Sequence, residues 1–158
     1  MKRIVLNLSL LLCVLAITTG LLFAADSSAG TWKFNAAKSK FTGSVVIKSQ
    51  TDVREVTPDG GIKVSRTGQL ADGTAVKGSF AYKYDGKEYP ATGLAFDVLA
   101  VKRIDANKTT FEVKKTGGKY HVTGQNVISA DGKTMTQTAK GTDADGKPIS
   151  STVVFDKQ

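Results

Sequence analysis

Arginine and aromatic residues at alternating strand positions are the residues of this sequence best suited to recognising a small molecule. Arg66 has the parity of Ile62 and Val64, so we expect its side chain to point into an apolar interior. A buried guanidinium needs a partner, and a ligand carboxylate would accept two hydrogen bonds from it. A position at the rim or an ion pair with an acidic residue would satisfy it equally well. We predict a ligand-binding set of Arg66, Phe80, Tyr82 and Tyr120.

The sequence does not contain the residue sets of common enzymes or zinc sites. His121 is the single histidine, and its parity places it with Lys119 and Thr123 on a polar face. A Ser-His-Asp set needs that histidine in a cleft, and the common zinc sites need several histidines or cysteines. We therefore expect a protein that is not an enzyme and that has no catalytic residues, metal ligands or cofactor.

The first residues have the pattern of a secretory signal peptide. Lys2 and Arg3 form a positive start, a long apolar run follows, and the run ends at the small residues Ala24 and Ala25. This order predicts that residues 1–24 are removed during export to the periplasm or the extracellular space. The apolar run is also long enough for an uncleaved membrane anchor, which is the alternative.

The remaining residues, 25–158, have the length of one domain with its own core. Cleavage after Ala29 instead of Ala24 would shorten this domain slightly. The only cysteine, Cys13, lies before it, so its stability must come without disulfides. The formal net charge falls from +8 to +6 when Lys2 and Arg3 are removed. The lysines are scattered, which is typical of a solvated surface. We expect no specific nucleic-acid partner, no membrane span after cleavage, and an oligomeric state that the sequence leaves open.

Short period-two runs rich in Val, Thr, Phe and Tyr alternate with turn signals along the domain, and no helical period interrupts them. Asp-Gly pairs favour tight hairpin turns because glycine accepts a positive φ. The predicted turns are Asp59-Gly60-Gly61, Asp72-Gly73, Asp85-Gly86, Asp105-Ala106-Asn107, Gly117-Gly118, Asp131-Gly132 and Asp145-Gly146.

Hairpins in series predict an all-β, antiparallel up-and-down meander of eight to ten strands. Closing the meander into a small barrel buries its apolar face and removes exposed edges; a two-sheet sandwich is the alternative. Gly78 and Gly124 lie within strands, where they fit the sharp bends of a barrel. The runs read as strands are 31–35, 44–56, 61–69, 75–84, 96–104, 110–114, 119–129, 134–140 and 148–156.

The segment Gly30-Thr31-Trp32-Lys33-Phe34 resembles the Gly-x-Trp opening of lipocalins and of intracellular fatty-acid-binding proteins. Residues 145–157 are similar to the last hairpin and strand of the fatty-acid-binding group. The whole domain resembles small exported bacterial proteins that open with Thr-Trp-Lys and repeat Asp-Gly-Lys turns. The resemblance implies a lipocalin-like, calycin-type barrel in which Trp32 plugs one end.

The same resemblance implies a small hydrophobic or amphipathic ligand inside the barrel. The alternative is a filled barrel with a structural or protein-interaction role in the cell envelope. Interior volume separates the two functions, because an eight-stranded barrel is either just filled by side chains or holds one small ligand. The large residues Phe80, Tyr82 and Tyr120 favour the filled barrel. By contrast, Gly78, Gly124 and Arg66 favour the ligand.

Overall fold

The computed structural model describes residues 26–158, which form ten β-strands. The predicted signal peptide, residues 1–24, lies outside the described residues. Within them no helix is long and apolar enough to cross a membrane. The strands are β1 (Gly30–Thr42), β2 (Ile47–Val56), β3 (Ile62–Leu70), β4 (Ala75–Tyr82), β5 (Asp85–Thr92), β6 (Val98–Arg103), β7 (Lys108–Lys114), β8 (His121–Ile128), β9 (Thr134–Thr142) and β10 (Pro148–Lys157).

Every strand pairs antiparallel with its neighbours in sequence, and β1 pairs with β10 to close the barrel. This closed meander confirms the barrel prediction over the two-sheet sandwich. We call the end where β1 begins and β10 ends the tryptophan end, because Trp32 lies there, and the other the far end. Trp32 is fully buried, as the resemblance implied.

The predicted Asp-Gly turns have the expected backbone geometry. Gly60, Gly73, Gly132 and Gly146 have φ values between +70° and +90°, a region that glycine enters without steric cost. Aspartates cap the turns, for example at Asp72, whose Oδ1 accepts a hydrogen bond from Thr74 N at 2.9 Å. Backbone hydrogen bonds of this kind hold the pKa of Asp72 below its ordinary value.

The strand β5 was not predicted. Pro90 lies in its middle, and proline inside a run argues against a strand. Ala91 N donates to Asp97 O beside β6, so the preceding Pro90 nitrogen faces β4, where it has no hydrogen to donate. In keeping with this, β4 and β5 pair at two positions, Ser79 with Thr92 and Phe80 with Ala91. We call this boundary the β4–β5 seam.

The strand β1 runs without a helical insertion. It pairs with β2 from Gly30 to Lys33, and then continues along β10 to Thr42 after an irregularity between Asn35 and Lys40. The chain enters β2 after a short connection, so the barrel has no helical lid between its first two strands.

Two apolar clusters fill the interior, and both contain residues predicted to face inward. The first lies around β3–β8 and includes Val64, Phe80, Tyr82, Val113 and Val122. The second lies at the tryptophan end and consists of Trp32, Ile128, Met135, Val153 and Phe155.

Glycine allows neighbouring strands to approach closely at the bends, as predicted for Gly78 and Gly124. A Cβ on Gly124 would overlap the carbonyl oxygen of Thr138 and lie 2.6 Å from Cζ of Phe111. By contrast, a Cβ on the turn residue Gly132 would meet nothing within 4 Å.

We therefore expect Gly124→Ala to lower the free energy of unfolding by about 3 kcal/mol, because backbone must shift to admit the methyl group. Gly132→Ala is the matched control, with an expected loss of about 1 kcal/mol from its left-handed backbone alone. Urea unfolding of both variants checks this. Equal losses would contradict the close approach at Gly124.

Candidate binding site inside the barrel

A bulge in β2 turns a row of polar side chains into the barrel. Ile47 pairs with Leu70, but Ser49 pairs with Gln69, so β2 has one extra residue there. An extra residue reverses the face on which later side chains lie. Gln50, Asp52 and Arg54 consequently point inward and are at most 8% exposed. We call Gln50, Asp52, Arg54 and the facing Arg66 the polar strip.

The central contact of the polar strip is the ion pair of Asp52 with Arg66. Arg66 Nε donates to Asp52 Oδ1 at 2.9 Å, and Nη2 donates to Oδ2 at 2.7 Å. Gln50 Nε2 also donates to Oδ1, at 3.0 Å. Burial acts to lower the pKa of Arg66, but the adjacent Asp52 carboxylate outweighs it and raises that pKa. The predicted inward orientation of Arg66 is confirmed, and its protein partner is an acidic residue.

The other predicted site residues surround Arg66 from the apolar side. The Arg66 guanidinium carbon lies 5.6 Å from the ring centroid of Phe80, and the Phe80 and Tyr82 rings are stacked with centroids 6.2 Å apart. Burial raises the pKa of Tyr120, and the nearby positive charge of Arg66 opposes that rise. The fold thus places Arg66, Phe80 and Tyr82 on the neighbouring strands β3 and β4, and it packs Tyr120, which precedes β8, against the same apolar cluster. The binding role of the four residues stays a prediction.

Arg54 is a second buried arginine, and the sequence analysis did not identify it. Its Nη2 donates to the Tyr82 hydroxyl at 2.9 Å, and its Nη1 to Met135 Sδ at 2.9 Å. Its Nε has no hydrogen-bond acceptor among the described residues. Polar residues alternate at Gln50, Asp52 and Arg54. This alternation would have predicted an inward-facing Arg54 if the position of the bulge had been known.

The segment 26–28 covers the tryptophan end. Trp32 Nε1 donates to Ser28 O at 2.8 Å, and the Ser28 and Tyr84 hydroxyls are hydrogen-bonded at 2.9 Å. Asp26 forms an ion pair with Arg103. Burial acts to raise the pKa of Asp26, but hydrogen bonds from Ser28 and Arg103 outweigh it and lower that pKa.

The far end is less tightly packed. Leu94, Tyr120 and Ile149 pack against the first apolar cluster but are only partly buried, and the Arg66 side chain is 18% exposed. Residues of the same inward parity at the tryptophan end, such as Ile62 and Trp32, are fully buried. Solvent therefore reaches the interior from the far end.

A groove of about 590 Å³ crosses strands β5–β9 on the outside. Its edges include Lys102, Glu112 and Lys140, which have the parity opposite to the buried Val101 and Val113. The groove therefore lies on the outer face of the sheet, away from the predicted site residues.

His121 is exposed on the outer face, as predicted, and its Nε2 lies 2.7 Å from Glu112 Oε1. No group of three His, Cys, Asp or Glu side chains within residues 26–158 could hold a metal ion. Polar groups in the interior include the guanidinium groups of Arg54 and Arg66 and the Tyr82 hydroxyl.

Solved structures with a similar fold include the wild-type fluorescent protein UnaG, with 13% sequence identity and a TM-score of 0.53. That match covers 84% of this chain and 98% of UnaG. The barrel EF1p2_mFAP2b, solved bound to DFHBI, matches with 11% identity and a TM-score of 0.50, covering 85% of this chain and 97% of that one. The protein has a calycin-type barrel fold. No protein-family model and no curated protein sequence matches the chain.

Within this calycin-type barrel, the Asp52–Arg66 pair is the feature whose loss is simplest to measure. Breaking a buried ion pair by removing one partner typically costs about 3–5 kcal/mol, since the other charge is left uncompensated. We expect Asp52→Asn to lower the free energy of unfolding by about 3 kcal/mol.

The double variant Asp52→Asn/Arg66→Met removes both charges together. We expect it to be less destabilised than the sum of the two single variants by about 2 kcal/mol. Urea unfolding of the four proteins measures this coupling energy, and strictly additive losses would show that the pair does not couple.

Proposed function

We propose that this protein is an exported binding protein, not an enzyme, that holds a small hydrophobic or amphipathic molecule inside its barrel. The observation that supports this most directly is the position of Arg66, which lies among aromatic rings on the interior wall and is reached by solvent from the far end. An apolar cavity with a few converging polar groups is the usual form of a small-molecule site.

The chemistry of Arg66 favours a ligand with an acidic group. A guanidinium has five N–H donors, and Asp52 accepts from two of them. Three N–H groups of Arg66 remain for other acceptors. Phe80, Tyr82 and Tyr120 would contact the apolar part of such a ligand. A protein of the same fold, EF1p2_mFAP2b, binds the small molecule DFHBI.

A filled barrel that acts through its outer surface is the second candidate. It is favoured by the fully buried side chains Trp32, Phe155, Ile62 and Met135, which occupy the tryptophan end. A ligand must therefore lie toward the far end, or else the interior is closed to any ligand.

The first test is native mass spectrometry of the mature protein purified from the cells that export it, followed by denaturing extraction. A stoichiometric small molecule would support the binding function and identify the ligand class. An empty protein that also fails to take up 8-anilinonaphthalene-1-sulfonate would favour the filled barrel.

The role of Arg66 is tested with oleate and oleyl alcohol, which share a chain and differ in the acidic group. We expect Asp52→Asn/Arg66→Met to bind oleate about 10–100-fold more weakly, the range for a lost charged hydrogen bond. Binding of oleyl alcohol should change by less than about 2-fold. Fluorescence displacement titration measures both affinities.

Lys63→Met is the matched control, because Lys63 lies on the same strand with an exposed, outward side chain. Its oleate affinity should equal that of the wild type. An unchanged preference for oleate over the alcohol in the double variant would remove Arg66 from the site.

We also propose that export cleaves the chain after Ala24. Residues 26–28 support this, because cleavage after Ala29 would remove the Ser28 carbonyl that accepts from buried Trp32. A buried donor without a partner costs about 1–3 kcal/mol. We expect a chain starting at Gly30 to be about 2–3 kcal/mol less stable than one starting at Ala25.

Part of this difference depends on pH. The folded-state pKa of Asp26 is lowered, so its contribution is present above about pH 4, the ordinary value, and is lost as pH falls through the folded value. Urea unfolding of both chains at pH 7 and pH 3 measures this. Equal stability of the two chains at pH 7, or a mature mass that begins after Ala29, would contradict the proposal.

A further inference from the structure

The connection between β5 and β6, residues 93–97, lies close against β4 as it leaves β5. Gly93 begins it with a φ of +71°, which glycine adopts without steric cost. A Cβ on Gly93 would lie 2.3 Å from the carbonyl oxygen of Lys77 on β4. The backbone of the connection therefore crosses β4 in direct contact with it.

The next residue, Leu94, fills a space that β4 leaves open because it has glycine at position 78. A Cβ on Gly78 would lie 2.6 Å from Leu94 Cγ and 2.7 Å from Leu94 Cδ2. Gly78 has the inward parity of Phe80 on the same strand. Leu94 consequently points into the far end of the barrel, where it packs, half-buried, against the first apolar cluster.

This position adjoins Arg66. Gly78 and Arg66 are direct partners in the pairing of β4 with β3, and such partners have Cα atoms about 4.5–5.5 Å apart. Leu94 thus takes the place beside Arg66 that a side chain at position 78 would otherwise take. With Leu94 there, the Arg66 side chain is 18% exposed.

The connection is fastened at its end but not along its length. Asp97 O accepts a hydrogen bond from Ala91 N at 2.9 Å, and Asp97 Oδ1 accepts one from Thr116 N at 2.8 Å. Within the described part of the chain, residues 93–96 form no backbone hydrogen bond. Segments with few hydrogen bonds open at a low free-energy cost. Leu94 is therefore held mainly by its apolar contacts.

We propose that Leu94 controls access to Arg66. Its side chain narrows the far end when it lies on Gly78, and outward movement of the connection, between Gly93 and the fixed Asp97, opens the path to the guanidinium. The inference rests on the proposed function in one respect, since it makes Leu94 the residue that an acidic ligand must displace. The movement itself is a property of the protein without ligand.

The first experiment needs no ligand. Phenylglyoxal modifies accessible arginines, and peptide mass spectrometry separates the rates at Arg54, Arg66 and Arg103, the three arginines that follow Ala24. We expect Leu94→Ala to raise the rate at Arg66 about tenfold, because opening no longer removes a leucine side chain from the apolar cluster. Arg103, 39% exposed at the tryptophan end, is the internal control and should keep its rate.

Ile149→Ala is the matched control variant. Ile149 is also half-buried against the first apolar cluster at the far end, but it lies on β10, across the barrel from β4. It should leave the rate at Arg66 near that of the wild type. Leu94→Val should give a smaller rise than alanine, so the test stands even if Leu94→Ala fails to fold. An unchanged rate at Arg66, or equal rises with Leu94→Ala and Ile149→Ala, would overturn the proposal.

The second experiment follows oleate by stopped-flow fluorescence displacement. Leu94→Ala should raise the association and dissociation rates together, because entry and exit share one path, and the dissociation constant should change less than either rate. If oleate binds none of these proteins while Leu94→Ala still exposes Arg66, the proposed function fails and the role of Leu94 stands. Weaker oleate binding with an unchanged rate at Arg66 would make Leu94 a ligand contact only and overturn its control of access.

Discussion

The Asp52 carboxylate determines how the polar interior is arranged. Both of its oxygens accept from Arg66, and one also accepts from Gln50. This pairing holds Arg66 against the aromatic wall and leaves Arg54, two residues along β2, to neutral partners. The middle of the polar strip is therefore electrically balanced, whereas its tryptophan end is positive. The proposed ligand site depends on this pairing, because the pairing fixes the position of Arg66.

The two ends of the barrel are closed by different means. At the tryptophan end, Trp32 and Ser28 are both buried and are joined by a hydrogen bond. At the far end, β1 continues along β10 without a helical lid, and partly buried side chains such as Tyr120 line the approach to Arg66. A ligand would reach Arg66 from the far end. The barrel is therefore filled at the tryptophan end and more accessible at the far end. The sequence alone could not decide between a filled barrel and a ligand-binding barrel, and the structure has features of both.

Much of this fold could be predicted from the sequence, because strand alternation and turn chemistry are local properties. The inward orientation of Arg66 and Phe80 followed from period-two alternation on β3 and β4, where no bulge intervenes. The inward orientation of Arg54 could not be predicted, because a bulge near Ile47 reverses the parity of β2. Whether Arg66 would pair with a ligand or with Asp52 depended on that same register. The strand β5 was missed since Pro90 contradicts the usual strand pattern.

Pro90 also affects how readily the barrel would associate with further chains if its sheet opened. The β4–β5 seam has two paired positions, so it is the boundary along which this barrel should part at the lowest free-energy cost. Parting there would expose two strand edges, which in other sheets invite pairing with further chains. An edge whose central nitrogen has no hydrogen is a poor template for an added strand. The residue that weakens the seam therefore also limits self-association when the seam opens.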